Sequence, residues 1–345
     1  MMNKIFKTAV SAALLTALPI LAGAAQAQTV LKASSWVAAT HPLHESILVP
    51  WAAEVEKATQ GRVKVEILPK AVATPQGHFD AVQDGLADVT FNIHGYVPGR
   101  FPLTKLVEFP FTADNAENLS VAYHRVYERH FAKANEHKGL KLLALFTHGP
   151  GQIFNNKKPI AQLSDFQGLK FRVGGGMVND VAKLIGANAF LKPATESYEL
   201  LSGGVVDGVF FPAESIASFK LEDLIKFVTQ VPGGIYTSSQ AMFMNLDTFN
   251  SLPKADQDAI MSVSGEKLSR LAGRAWDERD QRGWQAMRDK NMTITQASPE
   301  FVNAMKEKTA SLEQAWFAEA KAKGFDGAKA LAELREEVKK VAAGQ

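Results

Sequence analysis

The chain of 345 residues contains no cysteine. Disulfide bonds, thiolate metal sites and lipid attachment to an N-terminal cysteine are therefore excluded. A long hydrophobic run is also missing, because the most apolar stretch, Ala9 to Ala22, is too short for a membrane-spanning helix. The sequence thus predicts no membrane anchor and no disulfide framework.

An excess of charge of one sign is missing as well. The chain has 38 Lys and Arg residues and 36 Asp and Glu residues. Residues 1–27 carry Lys4, Lys7 and no acid, so the remainder has 36 minus 36 charges, or zero. No basic stripe or block of like charge stands out, which argues against nucleic acid or a charged membrane surface as a partner.

The first 27 residues have the pattern of a secretory signal peptide. Lys4 and Lys7 form a short positive start, an apolar run follows, and Ala25-Gln26-Ala27 offers the small-x-small pattern that signal peptidase reads. We expect cleavage after Ala27, which leaves 345 minus 27, or 318, residues. The expected product is soluble in an exported compartment.

Two segments of the chain share one residue pattern, and this internal repeat indicates two similar lobes. Phe79–Phe91 (FDAVQDGLADVTF) and Tyr198–Phe210 (YELLSGGVVDGVF) each carry an aromatic residue, a glycine six positions later and an aspartate nine positions later. This pattern predicts a helix that ends at the glycine and a strand that starts near the aspartate. Such units alternate in doubly wound α/β lobes, whose ligands bind at the C-terminal ends of strands. A chance similarity between two common αβ corners is the alternative.

The hydrophobic periodicity agrees with an α/β fold. Apolar alternation or continuous apolar runs predict strands at Val30–Ser34, Arg62–Leu68 and Lys141–Thr147. Residues 254–290 contain no proline and carry apolar residues at helical spacing. A continuous helix there would be up to ~55 Å long, enough to cross two lobes.

Arg172 is the most prominent candidate for ligand binding. It lies in the segment SDFQGLKFRV, Ser164–Val173, between two apolar residues that predict its burial. A buried arginine needs an anionic partner, and its planar fork suits a carboxylate. The partner is either a ligand or an internal acid such as Asp165 or Asp207.

This segment resembles the arginine motif in the second domain of TRAP transporter solute-binding proteins, the DctP-like family of periplasmic receptors. The resemblance extends over nearly the whole mature chain, with GRVKVEILP, AVQDGLADVTF, FPLTKLVEFPF and ESYELLSGGVVDGVFFP in the family's order and spacing. It implies that Arg172 grips the carboxylate of a small organic acid, which a TRAP permease in the membrane then takes over.

The resemblance also implies the fold. It is an α/β, two-lobe periplasmic binding protein fold with a long C-terminal helix spanning both lobes. We place lobe I at approximately residues 28–149 and 240–278, and lobe II at approximately residues 150–239 and 279–345.

The chain differs from the family pattern at positions that determine which ligand is bound. Acidic-sugar receptors of the family have a second arginine at the position of Gln152, so a single carboxylate is the better match here. Trp36 and Phe211 offer flat apolar surface for an aromatic or branched body. The candidate ligand-binding residues are thus Arg172, Gln152, Trp36, Asn92, His94, Phe211 and Tyr236. Trp36, Tyr236 and the histidines could equally serve packing or the hinge.

Other functions have weaker support in the sequence. No Gly-x-Ser-x-Gly nucleophile motif occurs, and Gly174–Gly176 lacks the lysine and hydroxyl residue of a phosphate loop. His41 and His44 have no further metal ligands nearby in the sequence. We therefore predict no catalytic residue, no cofactor and no protein-held metal site. An exported α/β enzyme acting on a carboxylate, or a receptor of another transporter or sensor, remains the alternative.

Overall fold

The computed structural model describes residues 28–112 and 114–345, so the predicted signal peptide lies outside the described residues. The strands are β1 Thr29–Ala33, β2 Val63–Ile67, β3 Val89–Ile93, β4 Leu140–Thr147, β5 Gln152–Asn155, β6 Lys170–Val173, β7 Asn188–Leu191, β8 Gly208–Phe211, β9 Phe227–Gln230, β10 Ser239–Asn245 and β11 Thr293–Gln296. The α-helices are α1 Val49–Ala58, α2 His78–Gln83, α3 Ala116–His130, α4 Met177–Leu184, α5 Ser197–Ser202, α6 Glu214–Ser218, α7 Leu246–Ser251, α8 Lys254–Ser262, α9 Glu266–Asp289, α10 Pro299–Thr309, α11 Ser311–Ala322 and α12 Gly327–Ala342.

Two sheets form the centres of two lobes. The first sheet has the strand order β2-β1-β3-β10-β4, and the second has the order β11-β9-β5-β8-β6-β7. Parallel pairing joins β2-β1-β3 in the first sheet, and β7-β6-β8 and β11-β9 in the second. The predicted α/β, two-lobe fold is therefore confirmed.

Each sheet contains one antiparallel strand that is connected directly to the other lobe. Strand β5 follows lobe I directly and pairs antiparallel with β8 and β9 in the second sheet. Strand β10 follows lobe II and pairs antiparallel with β3 and β4 in the first sheet. The connections 148–151 and 231–238 thus join the lobes and lie at the hinge.

The predicted long helix is present but interrupted. Helix α8 ends at Ser262 and α9 begins at Glu266, because Gly265 between them has φ +62°, a left-handed conformation that an α-helix cannot contain. The 24 residues of α9 still extend about 36 Å. This helix packs against α3 and β4 of lobe I and against α6 of lobe II, so it spans both lobes.

The C-terminal helices correct one expectation about the lobes. The sequence assigned all of residues 279–345 to lobe II. Strand β11 does join the second sheet, but α12 packs against α3 and α11 packs against α12 and the turn Pro102–Val107, all on the lobe I side. The amphipathic face of α12, with Leu331 and Leu334 buried, covers the apolar face of α3.

None of the helices in the described part of the chain is long and apolar enough to span a membrane.

Candidate functional site

A cavity lies between the two lobes, where the parallel strands of both sheets end. It is lined by Trp36, His41, Leu43, Ile93, Tyr96, His148, Arg172, Gly174, Ala194, Phe211, Pro212, Ser215, Phe219, Tyr236, Ser238, Gln240 and Trp276. These residues follow β1, β3 and β4 in lobe I and belong to β6 and β8 or their ends in lobe II, with the hinge and α9 completing the wall. The location agrees with the rule that α/β lobes bind ligands at the C-terminal ends of strands.

Strand alternation turns Arg172 toward this cavity. Its neighbours Phe171 and Val173 are buried in the hydrophobic core, and side chains alternate between the two faces of a strand. The Arg172 Nε atom donates to the Lys192 carbonyl at 2.8 Å, and the guanidinium lies 4.5 Å from the centre of the Phe211 ring. The side chain is 2% exposed.

Arg172 has no acidic partner within the protein as far as residues 28–112 and 114–345 show. Both internal acids considered from the sequence are engaged elsewhere. Asp165 accepts from the Ala161 and Gln162 amides, and Asp207 accepts from the Lys170 amide. Burial lowers the pKa of the Arg172 guanidinium, although its intrinsic basicity keeps it charged. A buried cation without an internal anion favours an anionic ligand.

Aromatic rings form the walls beside Arg172. Phe211 stacks on Phe219 with ring centres 5.5 Å apart, and Trp36 contacts Tyr96 edge-on at 5.8 Å. The Trp36 indole N–H is fixed by donating to the Phe91 carbonyl at 3.0 Å. These rings offer flat apolar surface on both lobes.

Two buried histidines line the cavity in the neutral form. Burial lowers the pKa of His148 to about 4 and the pKa of His41 to about 3. His148 Nε2 lies 3.2 Å from the Ser238 hydroxyl, and His41 Nε2 lies 4.0 Å from the Glu214 carboxyl. Among the Lys, Arg and His residues of this wall, Arg172 is therefore the one that carries charge at neutral pH.

The predicted site residues divide into two groups. Arg172, Trp36, Phe211 and Tyr236 line the cavity together, and the Tyr236 hydroxyl donates to the Phe210 carbonyl at 2.9 Å. Their contact with a ligand stays a prediction.

Gln152, Asn92 and His94 lie outside the cavity wall. The Gln152 side chain joins the hinge, because its Oε1 atom accepts from the Val231 amide at 2.6 Å. Asn92 donates to the Pro75 carbonyl at 2.8 Å, and His94 Nε2 lies 2.8 Å from His137 Nε2 inside lobe I. Their amide and imidazole groups are thus occupied within the protein.

Several lining residues were not among those predicted: Tyr96, His41, His148, Ser238, Gln240 and Trp276. The sequence does contain a signal for Ser238 and Gln240, because both lie in the polar run Thr237–Gln240 directly before the apolar residues of β10. Trp276 shares the helical spacing of the apolar residues within 254–290, a pattern that predicts a packed position and gives no separate signal for ligand contact.

The lobes contact each other around the cavity. The Tyr96 hydroxyl of lobe I accepts from the Ala194 amide of lobe II at 3.0 Å. The Glu108 carboxylate of lobe I accepts from the Met177 amide, the first residue of α4, at 2.8 Å. The backbones of Gly95 and Gly175 touch so closely that a Cβ atom on Gly95 would lie 2.3 Å from the Gly175 carbonyl carbon.

The cavity is consequently narrow. Its free volume is about 30 Å³, room for roughly one or two water molecules. A ligand larger than a few water molecules therefore enters only when the lobes separate.

No group of three or more His, Asp or Glu residues suited to hold a metal ion occurs in the described ranges.

Comparison with known proteins agrees with this architecture. Residues 33–320 match the family described as bacterial extracellular solute-binding protein, family 7 (DctP). A TRAP periplasmic solute-binding protein from Bordetella bronchiseptica, solved with bound (R)- and (S)-mandelate, is 50% identical with a TM-score of 0.89, covering 91% of this chain and 99% of that one.

Two further solved structures are similar. A TRAP solute-binding protein from Rhodoferax ferrireducens with copurified benzoate is 29% identical, with a TM-score of 0.86 over 92% of this chain and 99% of that one. A protein from a marine metagenome, specific for aromatic acids and solved with 3-hydroxybenzoate, is 31% identical, with a TM-score of 0.85 over 91% and 99%. The chain belongs to the bacterial extracellular solute-binding proteins of family 7 and is a solute-binding protein of the TRAP type.

Proposed function

We propose that this receptor captures a small aromatic monocarboxylate in the periplasm. The observation that carries the proposal is the buried Arg172 guanidinium, which has no acid beside it in the described protein and faces a cavity walled by aromatic rings. Arg172 supplies a bidentate clamp for one carboxylate. The rings of Trp36, Phe211 and Phe219 supply the apolar surface for the rest of the ligand.

The charge of the cavity favours one carboxylate over two. A second carboxylate would be buried beside neutral His41 and His148 without a cation, and an unpaired buried charge is costly. The ligands of the similar proteins, mandelate, benzoate and 3-hydroxybenzoate, are all aromatic acids with one carboxylate. They lend support to the same class of ligand here.

Isothermal titration of the purified mature protein tests the ligand class. We expect mandelate, benzoate and 3-hydroxybenzoate to bind more tightly than succinate and malate. A true ligand should also raise the unfolding midpoint, because it binds only the folded state. Tighter binding of succinate or malate than of all three aromatic acids would contradict the proposal.

We further propose that residues 1–27 direct export and are removed, and that the closed, loaded receptor docks on the membrane subunits of a TRAP permease. The charged start, apolar run and Ala25-Gln26-Ala27 site support export, and membership of the family supports the permease. Mass spectrometry of the periplasmic protein should give an N-terminus at Gln28. Uptake of the identified acid should stop when the gene of either the receptor or its permease is deleted.

A further inference from the structure

Two buried polar atoms on the cavity wall lack a hydrogen-bond partner in the described protein: Gln240 Oε1 and Trp276 Nε1. Gln240 is 1% exposed and Trp276 is 3% exposed, so bulk water does not serve either atom. Buried polar side-chain atoms are nearly always hydrogen-bonded in folded proteins. Two such exceptions in one cavity indicate that the partner is something the cavity binds.

The alternation of side chains along β10 explains why Gln240 faces the cavity. In β10, Ala241 and Phe243 are buried in one core cluster, whereas Met242 and Met244 are buried in the other, together with Trp36 and Trp276. Alternation therefore puts Gln240 on the same face as the two methionines. It occupies the end of that face nearest lobe II, because β10 begins at Ser239 directly after the hinge connection.

Three neighbouring polar side chains of the wall are already engaged. The Trp36 indole N–H donates to the Phe91 carbonyl, and the Tyr236 hydroxyl donates to the Phe210 carbonyl. The two ring nitrogens of His148 lie within hydrogen-bond distance of the Gly149 carbonyl and the Ser238 hydroxyl. Besides the Arg172 guanidinium, whose Nε donates to Lys192 and whose other nitrogens can hold a carboxylate, Gln240 Oε1 and Trp276 Nε1 are the buried wall atoms without a hydrogen-bond partner in the described residues.

We propose that Gln240 and Trp276 recognise a hydroxyl group of the ligand while Arg172 holds its carboxylate, an assignment that rests on the proposed function and makes it more specific. The glutamine oxygen is an acceptor and the indole N–H is only a donor. A hydroxyl group has one donor and two acceptor lone pairs, so it can donate to Gln240 Oε1 and accept from Trp276 Nε1.

Two charged ligand groups satisfy only one of the two atoms. A second carboxylate could accept from the Trp276 indole and from the Gln240 Nε2 group, but it would leave Gln240 Oε1 without a donor and bury a second negative charge beside a single cation. An ammonium group could donate to Gln240 but has no lone pair for Trp276. The ligand class that follows is a hydroxylated aromatic monocarboxylate.

Titration calorimetry with acid pairs that differ by one hydroxyl tests the assignment. Mandelate and phenylacetate form one pair, and 3-hydroxybenzoate and benzoate form the other. We expect the wild-type protein to prefer the hydroxylated member of at least one pair by roughly tenfold or more, because the acid without the hydroxyl leaves buried polar atoms unpaired.

Two variants then assign the preference to the two side chains. Gln240→Met keeps the length of the side chain without the acceptor, and Trp276→Phe keeps a ring without the donor. Each should reduce the affinity ratio of the preferred pair several-fold. Matched controls are Gln285→Met, at an exposed position of α9, and Trp284→Phe, two turns after Trp276 on the same helix and outside the cavity wall. Both controls should keep the wild-type ratio.

The possible outcomes distinguish failure of the hydroxyl assignment from failure of the proposed function. Equal affinities within both pairs in the wild-type protein would overturn the hydroxyl assignment and leave the aromatic monocarboxylate standing. Variants that weaken both members of a pair equally would also overturn it. Failure of all four acids to bind would overturn the proposed function and the assignment with it. The wild-type comparison needs no variant, so it decides the matter even if a variant does not fold.

Discussion

At the scale of the residue, Arg172 is expected to carry the largest share of ligand affinity. Arg172→Lys keeps a positive charge but loses the planar fork, so the bidentate contact becomes a single one. Charge-assisted hydrogen bonds contribute roughly 1.5–3 kcal/mol each. We therefore expect the affinity for an aromatic monocarboxylate to fall at least about tenfold by calorimetry, and further in Arg172→Ala.

A surface arginine provides the control for this prediction. Arg288→Lys changes an exposed side chain near the end of α9 that donates to Gln285 Oε1, and the variant should bind ligand as the wild type does. Circular dichroism should show that every variant is folded. Wild-type affinity in a folded Arg172→Ala protein would show that Arg172 does not hold the ligand.

Glu214 is expected to make stability depend on pH. Burial raises its pKa from 4.5 to about 7, although the Ser215 and Ser218 hydroxyls that donate to it act in the opposite direction. A carboxyl group that binds its proton more tightly in the folded state stabilises the fold below about pH 4.5. That contribution is lost as the pH rises through about 7. The Glu214→Gln variant has no titrating proton and escapes this loss.

Urea unfolding at pH 5 and pH 8 measures the effect. The free energy of unfolding of Glu214→Gln, relative to the wild type, should rise between pH 5 and pH 8 by about 2–3 kcal/mol. Glu307→Gln, at an exposed site on α10, should give the same difference from the wild type at both pH values. A difference for Glu214→Gln that does not change with pH would mean that the carboxyl group is ionised in the fold at both.

At the scale of the element, the repeated helix–glycine–strand unit has the same structure in both lobes. In lobe I, α2 ends before Gly85 and β3 follows. In lobe II, α5 ends before Gly204 and β8 follows. Both glycines are left-handed, with φ +77° and φ +67°. The sequence repeat therefore corresponds to a structural repeat in the two lobes.

The two aspartates of the repeat also make matching contacts. Asp88 Oδ2 accepts from the Lys32 amide of β1 at 2.7 Å, and Asp207 Oδ2 accepts from the Lys170 amide of β6 at 2.9 Å. Each carboxylate thus ties the start of one parallel strand to its neighbour. The repeated position has the same physical task in both lobes.

The glycines of the repeat are expected to matter through their backbone conformation alone. A Cβ atom on Gly85 or Gly204 would meet nothing within 4 Å, so alanine causes strain but no clash. Left-handed backbone costs a residue with a Cβ atom about 1–2 kcal/mol. Gly85→Ala and Gly204→Ala should each lower the free energy of unfolding by that amount in urea titrations.

Asparagine provides the graded control, because it tolerates the left-handed region better than alanine does. Gly85→Asn and Gly204→Asn should therefore cost less than the alanine variants at the same positions. Equal losses for alanine and asparagine would point to a cause other than backbone strain.

At the scale of the whole molecule, Glu108 is expected to hold the lobes closed. One oxygen of its carboxylate accepts from the Ser239 amide and hydroxyl at 3.0 and 2.9 Å, within lobe I. The other oxygen accepts from the Met177 amide of lobe II, at the start of α4, where the helix dipole favours a negative charge. The carboxylate therefore bridges the lobes. A glutamine at position 108 has one acceptor oxygen and cannot serve both sides.

Small-angle scattering and calorimetry test this role together. Glu108→Gln should have a larger radius of gyration than the wild type without ligand, and a similar one when saturated. Its ligand affinity should fall about tenfold, because a smaller fraction of the protein is closed and competent to bind. Glu128→Gln, at an exposed site on α3, should behave as the wild type in both measurements. Unchanged scattering and affinity in Glu108→Gln would mean that closure does not depend on this bridge.

Four of the seven predicted site residues line one cavity, and the chemistry of their side chains is the physical reason. The sequence predicts ligand contacts at Arg172, because a buried guanidinium favours an anionic partner, and at Trp36, Phe211 and Tyr236, because aromatic rings offer flat apolar surface. All four residues line the cavity. Gln152 has equally suitable chemistry, but the hinge backbone uses it. Whether an amide faces a ligand or the protein depends on neighbours that are far away in the chain.

The sequence by itself determined the α/β class, the repeated unit of the two lobes and the burial of an arginine. These features follow from local hydrophobic periodicity, from glycines at fixed positions and from the chemistry of single side chains. The tertiary structure alone decided that Gln240 of β10 and Trp276 of α9 share one cavity. It also decided that Glu108 reaches the amide of Met177 in the other lobe. Such pairs are joined only when two crossing strands and a helix bring distant segments together, and no local pattern encodes that distance.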